Sequence, residues 1–132
     1  VKKRKKLIIN GEDYNTPDGT TIRDYIHVSD LADIHLICSR YIIKNKNSKI
    51  FNCGYGVGYS VKEVVSKAVK ISKKNLPIKI GKRRKGDSEK IVADNSKFKK
   101  YFKWKPRYDN LELILTTAFN WEKKLKNKKL LK

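Results

Sequence analysis

At 132 residues the chain suits one domain, and with 39% hydrophobic and 10% aromatic residues it has the material for a packed core, which excludes wholesale disorder. No apolar run nears the roughly 18 residues that a membrane span needs, so no membrane-spanning segment is expected. Thirty-three Lys and Arg against 13 Asp and Glu leave a net charge of +20, which turns attention to polyanionic partners: nucleic acid, an anionic surface or a phosphorylated metabolite.

Leu7-Ile8-Ile9 is a short apolar run closed by Asn10-Gly11 and predicts a buried strand. Residues 11–21 hold Pro17 and Asp18-Gly19, the chemistry of a turn-rich loop. Ile22 to Val28 predict a strand whose alternation puts Ile22, Asp24, Ile26 and Val28 on one face and Arg23, Tyr25 and His27 on the other. Asp30 is placed to cap a helix running to about Ile43, with Leu31, Ile34, Leu36, Ile37 and Tyr41 as its apolar side. Lys49 to Cys53 predict a further strand leading into Gly54-Tyr55-Gly56-Val57-Gly58-Tyr59. Ser60-Val61-Lys62-Glu63 is a capping box, and Val61, Val64, Val65, Ala68 and Ile71 recur at helical spacing to about Lys73. Pro77 to Ile80 predict a short strand, followed by the basic stretch 82–87. Asn95 or Ser96 opens a short helix through Phe102, Pro106 breaks the chain, and Asp109 or Asn110 caps a last helix containing Leu111, Leu113, Ile114, Leu115, Ala118, Phe119 and Trp121. Strands alternating with helices predict a mixed α/β fold.

The makeup of the charge narrows its meaning. Lysines account for 27 of the bases and arginines for six, and many lysines gather at the ends: Lys2, Lys3, Lys5 and Lys6, then Lys123, Lys124, Lys126, Lys128, Lys129 and Lys132. Sequence-specific nucleic-acid readers rely on arginine forks and interleaved aromatics, so this charge reads as a solvated surface, with a basic nucleic-acid-binding module as the rival. Cys38 and Cys53 cannot build a disulfide framework, and a reduced, cytoplasmic setting is the expectation. The chain holds no Met and opens on Val1, so a piece of a longer protein is expected.

Gly54-x-Gly56-x-Gly58 stands where a phosphate loop would stand. The dinucleotide pattern, however, needs GxGxxG and an acid about 20 residues on, and Lys73, Lys74 and Asn75 occupy that region, so a plain turn into a helix is expected. Tyr101-x-x-x-Lys105 has the spacing by which one helix face presents a base and its activator, but Pro106 disfavours helix at Lys105, and Trp104 reads as a core anchor. His27 and His35 with the two cysteines match no zinc spacing. Arg23-Asp24-Tyr25 and Arg83-Arg84-Lys85-Gly86-Asp87 differ from these: two separated arginines, each near a carboxylate, suit a diphosphate between two sugars, since guanidinium forks take phosphate oxygens and an acid accepts from ribose hydroxyls.

Together the segments 13–33 (DYNTPDGTTIRDYIHVSDLAD), 51–61 (FNCGYGVGYSV) and 82–94 (KRRKGDSEKIVAD) resemble the C-terminal part of the UDP-glucose 4-epimerase family, within the extended short-chain dehydrogenase/reductase superfamily. The resemblance covers roughly residues 6–125, in the family's order and spacing. It implies a small substrate-binding α/β domain of short strands and flanking helices, the C-terminal part of a Rossmann-type epimerase, with residues 1–125 as the UDP-sugar portion and 126–132 as a basic tail. An N-terminal Rossmann domain, absent from this chain, would hold NAD and supply the catalytic tyrosine. UDP-glucose and UDP-galactose would interconvert there through a 4-keto sugar that turns about its diphosphate.

By matching positions, the resemblance assigns Arg23 and Arg84 to the diphosphate, Asp87 and Tyr25 to the neighbourhood of ribose and diphosphate, and Val61 to an apolar contact with the nucleotide. Ile8 and Asn10 fall along the uracil, where relatives often carry an aromatic at the place of Asn10; Ile91 falls where the sugar pocket is bounded. Nothing in the chain matches the family's glycine motif or catalytic residues, so the isolated chain is expected to be inactive. The expected partners are a UDP-hexose and the chain's own Rossmann domain. Such enzymes often dimerise through N-terminal helices, which makes a homodimer an expectation for the full-length protein alone. The nearest alternative is a nucleotide-sugar dehydratase or decarboxylase of the same superfamily.

Overall fold

In the computed structural model, which describes residues 6–74 and 77–127, short strands and helices alternate as a mixed α/β domain. The chain runs β1 (Leu7–Asn10), β2 (Ile22–Asp24), α1 (Val28–Asn45), β3 (Gly58–Ser60), α2 (Val61–Ser72), β4 (Ile78–Gly81), β5 (Lys90–Ile91), α3 (Ser96–Phe102) and α4 (Leu111–Asn127). Lys2, Lys3, Lys5, Asn75, Lys128, Lys129 and Lys132, and with them most of the basic tail, lie outside the described residues.

Two small sheets result. β1 pairs in parallel with β4, from Leu7 opposite Ile78 to Asn10 opposite Gly81. β2 is the centre of the other sheet, antiparallel to β3 and parallel to β5.

The expected strand from Ile22 to Val28 stops at Asp24, because His27 is needed elsewhere. His27, not Asp30, is the residue that caps α1: its Nδ1 accepts from the Ser29 amide at 3.0 Å. With Nδ1 an acceptor, the ring proton rests on Nε2 and faces Thr117 Oγ1 at 2.9 Å. The ring also stacks on Tyr108, with centroids 4.5 Å apart. The alternating face of Arg23, Tyr25 and His27 is therefore not formed; His27 is buried at the root of a helix.

Asp30 sits in the first turn of α1, where the helix N-terminus favours a negative charge, and is fully buried. It accepts from the Tyr55 hydroxyl at 2.7 Å and from the amides of Arg107 and Tyr108 at 3.0–3.2 Å, tying α1 to the segment that leads into α4. Burial and this bond to Asp30 together push the Tyr55 phenol well above its ordinary range.

α2 carries the expected capping box: Ser60 Oγ accepts from the Glu63 amide at 3.1 Å, and Glu63 accepts from the Ser60 amide at 2.7 Å. Asn110 Oδ1 caps α4 by accepting from the Leu113 amide at 3.1 Å. The core gathers Ile34 of α1, Tyr55, Phe98 of α3 and Trp104, so the reading of Trp104 as an anchor holds. Phe51 packs edge-on against Phe98 at 5.5 Å, and α2 lies against α4.

Residues 49–53 form no strand: no neighbouring segment among the described residues pairs with them, and Ile50 stays 85% exposed. β3 and β5, by contrast, have no counterpart in the sequence expectations.

Candidate functional site

The glycine turn is built for packing. Asp24, at the end of β2, accepts from the amides of Tyr55 (3.1 Å), Gly56 (2.9 Å) and Ala93 (3.3 Å) with its two carboxylate oxygens. A Cβ on Gly54 would come within 2.4 Å of Asp24 Oδ2, and one on Gly58 within 2.5 Å of Ile22 Cγ2. The amides that would have to meet a pyrophosphate already meet a carboxylate. This turn therefore does not fit the phosphates of NAD, and it is a plain turn, as expected. Tyr101 and Lys105 make no catalytic pair either: α3 ends at Phe102, Lys103 turns to φ 52°, and Tyr101 donates its hydroxyl to Tyr41 at 3.1 Å.

The loop before β2 is fastened to the start of α2. Asp18 accepts from the amide and hydroxyl of Thr20 at 2.9 and 2.6 Å and from the hydroxyl of Ser60, while Lys62 Nζ reaches the Asp18 carbonyl at 2.9 Å. Burial works against the charge of Asp18, but the donors from Ser60 and Thr20, with Lys62 nearby, outweigh it and hold the carboxyl below its usual range. This fastening fixes where Val61, half-buried at the first position of α2, stands beside the sheet.

On that sheet Arg23 lies opposite Tyr59 of β3 and opposite Ile91 of β5. Residues in register share a face, so Tyr59, Arg23 and Ile91 form one row, with Ile91 exposed and the other two half-exposed. Arg23 bonds only to its neighbouring carbonyl, Nη1 to Ile22 O at 2.8 Å, and makes no ion pair among the described residues. Tyr25 follows, half-buried; burial raises its phenol, and the charge of Arg23 pulls the other way.

The 82–89 segment joins the two sheets. It leaves β4 beside β1, where a Cβ on Gly81 would lie 2.9 Å from Ile8 Cγ2 and 3.5 Å from Asn10 Oδ1. It enters β5 beside β2, where the Ile22 amide donates to Glu89 O at 2.8 Å. Between them Arg84 to Asp87 close a turn: the Asp87 amide donates to Arg84 O at 3.3 Å, and Gly86 takes φ 86°, a backbone that glycine alone adopts without strain. The turn brings Arg84 Nε to Asp87 Oδ2 at 3.0 Å and leaves the rest of the guanidinium outward, with 67% of the side chain exposed. Ile8 and Asn10 thus adjoin one end of this segment, and the row of Arg23, Tyr59 and Ile91 the other. Tyr59 escaped the sequence reading; its place follows from β3, a three-residue strand too short to show a period.

The chain belongs to the GDP-mannose 4,6 dehydratase family, whose model matches residues 1–117. Within that family it is similar to UDP-glucose 4-epimerases. It is 43% identical over 123 residues to the enzyme of Azospirillum brasilense, covering 93% of this chain and 35% of that protein. Among solved structures, the UDP-Glc/GlcNAc 4-epimerase of Campylobacter jejuni matches with 46% identity and a TM-score of 0.80 over 92% of this chain and 37% of its own. The UDP-glucose 4-epimerase of Bifidobacterium longum, solved with NAD+ and UDP, matches with 36% identity and a TM-score of 0.80 over 96% of this chain and 37% of its own. The chain thus spans little more than a third of the length of these relatives, and the match falls on their C-terminal part.

Proposed function

We propose that this chain is the UDP-sugar-holding portion of a UDP-glucose 4-epimerase, residues 1–125 forming that portion and 126–132 a basic tail. The observation that carries the reading is the continuity of the site: Arg23 lies in register with Ile91, and β5 is fed by the turn that seats Arg84 on Asp87. A substrate that must turn its hexose while staying bound needs a firm hold on the nucleotide end. Arg23 and Arg84 neutralise the diphosphate; Asp87, holding Arg84 by Nε alone, leaves both of its terminal nitrogens for phosphate oxygens. Asp87 and Tyr25 lie toward the ribose, Ile8 and Asn10 along the uracil, Val61 against the nucleotide, and Ile91 bounds the sugar. NAD supplies the hydride chemistry and would be held by a Rossmann domain outside this chain.

The surface left by α1 and residues 49–53 suits contact with that other portion. Ile43 is 78% exposed and Ile50 85% exposed, so apolar side chains stand open there.

Titration with UDP tests the reading. Arg84→Ala should weaken binding about tenfold or more, because a charge-assisted contact is lost, while removal of Lys128, Lys129 and Lys132 should leave it unchanged. Equal affinity in the Arg84→Ala chain would overturn the assignment. The purified chain with added NAD should form no UDP-glucose from UDP-galactose, as measured by product analysis; turnover would refute the claim that the catalytic groups lie elsewhere.

A further inference from the structure

Arg83 and Arg84 are neighbours in sequence with separate partners. Arg84 meets Asp87 within its own turn, whereas Arg83 reaches across to the loop that follows β1. Its Nε lies 2.9 Å from Asp13 Oδ1, its Nη2 donates to the Asp13 carbonyl at 2.7 Å, and its guanidinium carbon stands 3.9 Å from the centre of the Tyr14 ring. Glu89, at the far end of the same segment, lies 4.0 Å from Arg83 Nη2 and accepts from the Asn15 amide at 3.2 Å.

Gly11 makes room for this stack. Its φ is 83°, and a Cβ there would fall 2.6 Å from Tyr14 Cε2 and 2.7 Å from Arg83 Cγ. Tyr14 is 5% exposed, yet its hydroxyl has no hydrogen-bond partner among the described residues. An unpaired buried hydroxyl is costly, so it is the ring that earns Tyr14 its place, as the platform for the guanidinium plane. Arg83 is therefore clamped on three sides by the 12–15 loop and by Glu89, and the next residue is Arg84.

We infer that Arg83 is a positioning residue for UDP binding: by clamping the 82–89 segment to Asp13 and Tyr14, it fixes the direction in which Arg84 leaves the chain toward the diphosphate. The inference rests on the reading that Arg84 meets that diphosphate. Lysine would not substitute, since a single ammonium cannot serve the carboxylate and the carbonyl of Asp13 as a fork while lying flat on Tyr14.

A double-mutant cycle read by UDP titration of the 132-residue chain tests it, with Arg83→Ala, Arg84→Ala and both together. Arg83→Ala should weaken UDP several-fold in the parent chain and not at all in the Arg84→Ala background, because a positioning residue acts only through the group it positions. Arg83→Lys should lie with Arg83→Ala and keep the parent's unfolding midpoint more closely, and amide exchange of residues 84–87 should quicken in both variants while that of α2 stays unchanged. Equal weakening by Arg83→Ala in both backgrounds, or none in the parent, would overturn the inference and leave Arg84 at the diphosphate. If Arg84→Ala itself binds UDP as the parent does, or the parent binds none, the underlying reading falls and the inference with it.

Discussion

Asp24 shows how much one side chain can organise. Its two oxygens take amides from Tyr55, Gly56 and Ala93, segments more than 30 residues away, so one carboxylate sets the glycine turn and the end of β5 relative to β2. Replacing it by alanine should cost about 2–4 kcal/mol in urea unfolding, because three amides lose a charged acceptor together. Asp18 adds a pH dependence whose sign is fixed by its environment. Its folded carboxyl titrates below the ordinary value of 3.8, so its contribution is complete above that value and is lost as pH falls through the folded one. Unfolding free energies of the parent and Asp18→Asn chains should converge only as pH falls below about 4, where free carboxylates protonate; a constant gap would show that the charge of Asp18 contributes nothing.

At the level of the elements, three helices end on lysines in the left-handed region: Lys46 at φ 50°, Lys73 at φ 52° and Lys103 at φ 52°. A side chain pays a steric penalty there that glycine avoids. Lys73→Gly, at the exposed end of α2, should therefore raise stability by about 0.5–1 kcal/mol in urea unfolding, even though glycine is the more flexible residue in the unfolded chain. Gly58→Ala should do the opposite, since its Cβ would press on Ile22 and Val92 across the sheet.

The helices were legible because their signals are local. The Ser60–Glu63 box lies four residues long in the sequence, and the apolar period of α2 runs on from it. What eluded the sequence depends on partners. β3 and β5 are three and two residues long, with nothing periodic to see, and exist because β2 lies between them. Lys49 to Cys53 has the composition of a strand, but a strand needs a neighbour, and none of the described segments offers one. His27 outcompeted Asp30 as a cap because the buried Asp30 carboxylate serves Arg107, Tyr108 and Tyr55 instead, a choice visible only when those residues are brought together. For the candidate site, the strings around Arg23 and Arg84 stood out in the sequence, while the place of Tyr59 beside Arg23 and the separate partners of Arg83 and Arg84 show only in the register and the contacts.

Across the whole molecule, apolar side chains lie open on the side of α1 and residues 49–53, including Ile43 and Ile50. A chain with such a surface should bind a hydrophobic dye and self-associate in light scattering. Ile43→Lys combined with Ile50→Lys should reduce both without lowering the urea midpoint, since exposed substitutions change stability by only about 0.5 kcal/mol. Dye binding that persists undiminished would locate the open surface elsewhere.

The knot at Asp30 has a bearing on how the molecule comes into being. The amides of Arg107 and Tyr108 that satisfy this sealed carboxylate stand 77 and 78 residues later, and Phe98 and Trp104 reach Ile34 over similar spans. During synthesis, α1 must wait at the ribosome with an acid on its inner face that only the Tyr55 hydroxyl can meet before Arg107 and Tyr108 emerge. Nascent chains halted before Arg107 should stay open to protease along α1, and closure should come late and all at once, when the stretch from Phe98 to Tyr108 emerges.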